Sequence, residues 1–139
     1  MQNVKLLNGT EFKRLETAVQ SAELRQQVIS NNVANVDTPY FKRSEVLFED
    51  LLTEAMSSGE TISGIRTHSR HIPIGQSTVS IPAPQVVSDE SSSMNNNGNN
   101  VDIEREMSLL AKNQLVYSLY IQQVNHDVKM MRTAIEGRA

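Results

Sequence analysis

Residues 103–135 read IEREMSLLAKNQLVYSLYIQQVNHDVKMMRTAI, and this stretch decides the fold. Ile103, Met107, Leu110, Gln114, Tyr117, Ile121, Val124, Val128, Met131 and Ile135 recur at alternating spacings of four and three. An apolar repeat of about 3.5 residues marks a helix whose seam another helix must cover. The same spacing appears near the start of the chain, in Phe12, Leu15, Val19, Ala22, Gln26, Ile29, Val33 and Val36. Each seam is interrupted once, by a Gln. If the helices pair antiparallel with Gln26 beside Gln114, Phe12 approaches Val128 and Val33 approaches Met107. A long connection between them permits a parallel pair as well.

The seam does not exhaust the apolar residues of the second helix. Leu109, Leu115, Val116, Leu119 and Tyr120 lie off it, so the middle of this helix is apolar nearly all round. A helix in a simple hairpin needs one buried face; one that is apolar on several faces is covered by several neighbours. These five residues form a candidate outer assembly face, the alternative being that they pack on the middle of their own chain.

Outward from the helices, Thr10 is the expected N-cap of the first, with Glu11 in its first turn and Leu7 placed to staple onto it. Asn35 suits a left-handed position at its end, and Pro39 pushes Thr38 out of helical geometry. From Ser44 to about Met56 the spacing of Leu47, Phe48, Leu51, Leu52 and Ala55 predicts a short helix. Residues 61–87 are punctuated by Gly and Pro and read as short strands or extended loops. Residues 88–100, SDESSSMNNNGNN, hold nothing that must be buried and read as a mobile linker. Asn99 or Asn100 is the expected cap of the C-terminal helix, with Asp102, Glu104 and Glu106 at its positive end. The expected fold is therefore mainly α: an N-terminal helix within 1–36, a middle segment 37–100 with a small irregular or β part, and a C-terminal helix within 101–139, the two helices forming a coiled-coil-like pair.

Composition narrows the function. The 139 residues carry a net charge of −3 with mixed signs, so no basic surface points to nucleic acid or anionic lipid. Three Phe, three Tyr and no Trp offer few stacking platforms. Without cysteine there is neither a disulfide framework nor a Cys-based zinc site. No run approaches the ~18 apolar residues of a membrane span, and the first residues lack the features of a cleavable signal peptide. His68 and His71 sit on a proline-punctuated stretch where their spacing has little geometric meaning, and no phosphate loop, catalytic triad or metal-binding helix motif occurs. No catalytic, cofactor or metal site is expected.

The stretch Asn31-Asn32-Val33-Ala34-Asn35-Val36-Asp37-Thr38-Pro39 closely resembles the N-terminal motif of the bacterial flagellar rod and hook protein family, in which an N-x-A-N-x-x-T-P segment ends the first helix. Leu24-Arg25-Gln26-Gln27, Thr67-His68-Ser69-Arg70-His71-Ile72, Gly98-Asn99-Asn100-Val101-Asp102-Ile103-Glu104-Arg105-Glu106-Met107 and Leu110-Ala111-Lys112-Asn113-Gln114 extend the resemblance along the whole chain, toward the proximal-rod subtype. Asn32, Ala34, Asn35, Asp37, Thr38 and Pro39 are its motif residues. One departure stands out: the family usually places Gly before the aromatic after Thr-Pro, whereas here Tyr40 follows Pro39 directly, removing a residue tolerant of positive φ. The resemblance implies a non-enzymatic subunit of the basal-body drive shaft, with terminal helices lining the rod core. Its partners would be copies of itself, other rod proteins, and MS-ring and export-gate proteins at the rod base. It would leave the cytoplasm unfolded and uncleaved through the flagellar export apparatus. The alternatives are another axial protein of the same apparatus or a coiled-coil export adaptor or chaperone.

Overall fold

The computed structural model describes residues 9–57, 81–94 and 96–137. In chain order the elements are α1 (Thr10–Ala34), β1 (Ser44–Leu47), α2 (Glu49–Ser57), β2 (Gln85–Ser88) and α3 (Ile103–Glu136). The fold is mainly α, as the two apolar repeats require. Asn32 near the end of α1 meets Glu106 near the start of α3, and Glu23 meets Tyr117 further along, so the helices run antiparallel. At 34 residues against 25, α3 is the longer, and its final turns extend past Thr10.

The contact face of α3 lies one position away from the heptad reading. Glu106 and Asn113 are buried, whereas the seam residues Ile103, Met107, Gln114, Val128 and Ile135 are exposed. Leu110, Tyr117, Ile121, Val124 and Met131 are half-buried, opposite Phe12, Leu15 and Val19, also half-buried, and buried Ala22 and Ile29. Polar bonds set this rotation. The Asn113 amide donates to the Ala22 carbonyl at 2.9 Å and to Gln26 Oε1 at 3.4 Å, so the hydrogen-bond partner of Gln26 is Asn113, while Gln114 lines the same crevice as Gln26.

The expected helix over 44–56 begins later. Residues 44–47 form β1, antiparallel to β2 with Ser44 opposite Ser88 and Val46 opposite Val86. Both main-chain groups of Ser44 are bonded by the Asn32 side chain, which holds the backbone extended and turns Val46 and Phe48 into the core. Only then does α2 start, tied to α1 by the Arg25–Glu49 ion pair.

Caps differ too. Gly9 occupies the N-cap position of α1 without a side-chain bond, and Thr10 is already helical. Asp102, not Asn99 or Asn100, caps α3, accepting from the Glu104 and Arg105 amides. Gly137 closes α3 at φ 65, donating to Thr133. Leu7, His68, His71 and the expected strands before residue 81 lie outside the described residues. Among the described residues no helix is long and apolar enough to cross a membrane.

Among the described residues the apolar core is small: Ala22, Ile29, Val46, Phe48 and Val101. It sits where α1 ends and α3 begins, and more polar residues than apolar ones are buried around it. That is where the motif lies.

Candidate functional site

Asn32 is fully buried in the last turn of α1. Its amide donates to the Ser44 carbonyl at 2.8 Å and to Glu106 Oε2 at 3.0 Å, while its Oδ1 accepts the Ser44 N–H at 3.1 Å. Glu106, also fully buried, accepts from Arg43 Nε at 2.7 Å through its other oxygen. A buried ion pair needs such added bonds, because desolvating two charges consumes most of their attraction. Burial works against the charged guanidinium of Arg43. The hydrogen bonds and charges of Glu106 and Glu45 together outweigh it and hold the pKa above the usual arginine value. Glu106 therefore ties the helix pair to β1; the dipole role expected of a first-turn carboxylate belongs to exposed Glu104.

The Asn-rich segment closes the other side, and it is not the unburied linker its composition suggested. Asn99 donates its amide to the carbonyls of Asn35, Val36 and Thr38 at 2.9, 3.0 and 2.8 Å and accepts the Val101 N–H at 2.7 Å. Carbonyls left over at a helix end need partners, and here one distant side chain serves them. Asn100 accepts the Arg43 N–H at 2.6 Å and donates to the Asp89 carbonyl and Ser92 Oγ. Lys42 Nζ donates to the carbonyls of Ser92 and Gly98. Asp89 accepts from Ser92 and Ser91, whose hydrogen bonds lower its pKa to about 2. We call this assembly the clasp.

The left-handed residue of the turn is Tyr40, at φ 60, and not Asn35, at φ −107. Asn35 instead donates its amide to the main chain and side chain of Asn31 and accepts from Thr38 Oγ1. The position where a Gly is missing is thus where positive φ is required. Tyr40 is held there by its N–H bond to the Asn97 carbonyl at 3.0 Å and by its ring lying against Gly98, where a Cβ would stand 2.9 Å from Tyr40 Cδ1. Ala34, Asp37, Thr38 and Pro39 are exposed.

The candidate assembly face divides. Leu115 and Leu119 are 70% and 62% exposed. Leu109, Val116 and Tyr120 turn partly inward, lining with Arg25 and Lys112 a crevice beside Glu49 of α2, where burial, then the Glu49 charge, raises the Tyr120 pKa. Exposed Ile103, Met107, Ala111, Leu115 and Leu119 follow one another every four residues, an apolar ridge running obliquely round α3. Among the described residues no group of three or more His, Cys, Asp and Glu is placed to hold a metal.

Sequence reasoning assigns no role to Arg43 or Asn113, and gives Asn99, Asn100 and Glu106 only capping and dipole roles. One signal was present: Glu106 and Asn113 are spaced by seven and share a face of α3.

A profile of the family described as flagella basal body rod protein matches residues 15–42, from within α1 through the Thr-Pro turn to Lys42. The flagellar basal body rod protein FlgB of Bacillus subtilis strain 168 is 34% identical over 134 residues, covering 96% of this chain and 98% of that protein. The chain belongs to the flagellar basal body rod protein family. FlgB of Borreliella burgdorferi is 39% identical over 116 residues, 81% of this chain and 86% of its own. FlgB of Salmonella typhimurium is 31% identical over 117 residues, 81% and 83% of the two chains. The rod-family profile takes in Asn32 and Lys42, whereas Arg43, Asn99, Asn100 and Glu106 lie beyond it. The α1 half of the clasp thus carries the family signature.

Proposed function

We propose that this chain is a non-enzymatic structural subunit of the proximal rod of the flagellar basal body. Its terminal helices line the core of the drive shaft that carries torque from the motor to the hook. The observation that carries the reading is the exposed apolar ridge on α3, with Leu115 and Leu119 at its end. A monomer rarely leaves so continuous an apolar surface in water unless another molecule covers it. The clasp supports the reading, because it fixes the angle between the helix pair and the β1–β2 ribbon before neighbours arrive. Partners are further copies and other rod components, with MS-ring and export-gate proteins at the base.

Replacing Leu115 and Leu119 together by Gln tests this. Both face solvent, so the isolated chain should keep its stability within about 0.5 kcal/mol by chemical denaturation. Incorporation into basal bodies and swimming should be lost. Normal incorporation of the doubly substituted chain would remove the ridge from the assembly interface.

A further inference from the structure

The clasp contains a dipeptide with chemistry of its own. We propose that Asn97-Gly98 is a self-modification site, at which the main-chain nitrogen of Gly98 attacks the side-chain amide of Asn97 and slowly converts it to aspartate and isoaspartate. Three observations place the reaction here. Gly98 has no Cβ to shield its nitrogen, and at φ 78 a Cβ would be strained and would stand 2.9 Å from Tyr40 Cδ1, so the ring would have to shift. The conformation thus favours the most reactive successor an asparagine can have. Asn97 Oδ1 accepts the Asn99 N–H at 3.1 Å, so a donor already sits on the oxygen where negative charge develops when its carbonyl carbon is attacked. Finally, Asn97 is only half-buried, within reach of solvent base and water.

The atoms balance without a further reagent. The Gly98 nitrogen gives its proton to solvent and bonds to Asn97 Cγ. The Cγ–Nδ2 bond breaks, ammonia leaves, and a five-membered succinimide remains. One water then opens the ring. Breaking the bond from nitrogen to Cγ gives aspartate; breaking the bond to the main-chain carbonyl carbon gives isoaspartate.

The second product alters the clasp. The main chain then runs through Cβ and Cγ and is one atom longer, and the carbonyl that accepted the Tyr40 N–H becomes a free carboxylate. Asn99 shifts away from the carbonyls of Asn35, Val36 and Thr38 that it serves. The site thus acts as an irreversible release on the turn after α1.

Incubation of the intact folded chain at mildly alkaline pH, with peptide mapping and enzymatic methylation of isoaspartate, tests the proposal. Asn97 should convert at least as fast in the folded chain as in the same chain held in urea. The Asn97→Gln chain should keep its helicity and lose the signal at this position. Asn8-Gly9, the other Asn-Gly pair of the sequence, is the internal reference. Conversion at Asn8 with Asn97 intact, or conversion of Asn97 in urea alone, would overturn the assignment. The isoaspartate fraction, separated by charge, should melt below its parent; equal melting would refute the release.

Discussion

The two ends of the α1–α3 pair are held by different physics. At the clasp end, buried Asn32, Arg43, Asn99, Asn100 and Glu106 satisfy one another and nearby main-chain groups. At the far end, Phe12, Leu15, Val19, Val124 and Met131 are only half-buried, while Met130 and Ile135 stand exposed. Directional bonds specify geometry, because a misplaced buried donor or acceptor is expensive. Apolar contacts specify little beyond contact. The clasp end therefore has one shape within a single chain, whereas the far end leaves apolar surface uncovered there.

The contrast can be broken most sharply at Glu106. Glu106→Ala leaves the Arg43 guanidinium buried without its partner and should cost about 3–5 kcal/mol in chemical denaturation. Val124→Ala at the far end should cost only about 1 kcal/mol. Equal costs would mean that the ends do not differ in kind. Next in size is Gly98→Ala, which meets Tyr40 at positive φ and should destabilise by more than about 1 kcal/mol. Tyr40→Gly works the other way: it relieves a left-handed conformation worth roughly 1–2 kcal/mol and should raise stability by up to about 1 kcal/mol once added chain entropy is subtracted. Smallest is the effect of acid at Asp89. A carboxylate whose folded pKa is lowered from 3.8 to about 2 stabilises above the higher value and loses that contribution as pH falls toward the lower one. The Ser91 and Ser92 amide resonances should stay put on acidification to about pH 4 and then shift with a midpoint near pH 2. Movement at higher pH would show that the turn does not hold the carboxylate.

Both helices were legible in the sequence because apolar spacing reports directly on a covered face. So was the end of α1 ahead of the Thr38-Pro39 turn, where proline excludes helical geometry. The missing Gly before Tyr40 located the strained residue. The rest lay in polar side chains, which carry no such periodic signal. Asn99 looks like any residue of a low-complexity run until the carbonyls of Asn35, Val36 and Thr38 are brought to it. Glu106 reads as a dipole-matched carboxylate until Arg43 and Asn32 surround it. Residues 44–47 suit a helix by spacing alone, but Asn32 and Asn100 fix the main chain there as a strand. Reading these positions takes knowledge of partners far along the chain.

The bonds from Asn99 to the end of α1, and that between Arg43 and Glu106, join residues 61 to 64 positions apart. Contacts of such separation form late, since the intervening loop must close before any bond rewards it. In a chain that folds as it is made from its N-terminus, the turn after α1 thus stays pliable until Asn99 and Glu106 are available to it, so the clasp is locked from the far end of the sequence.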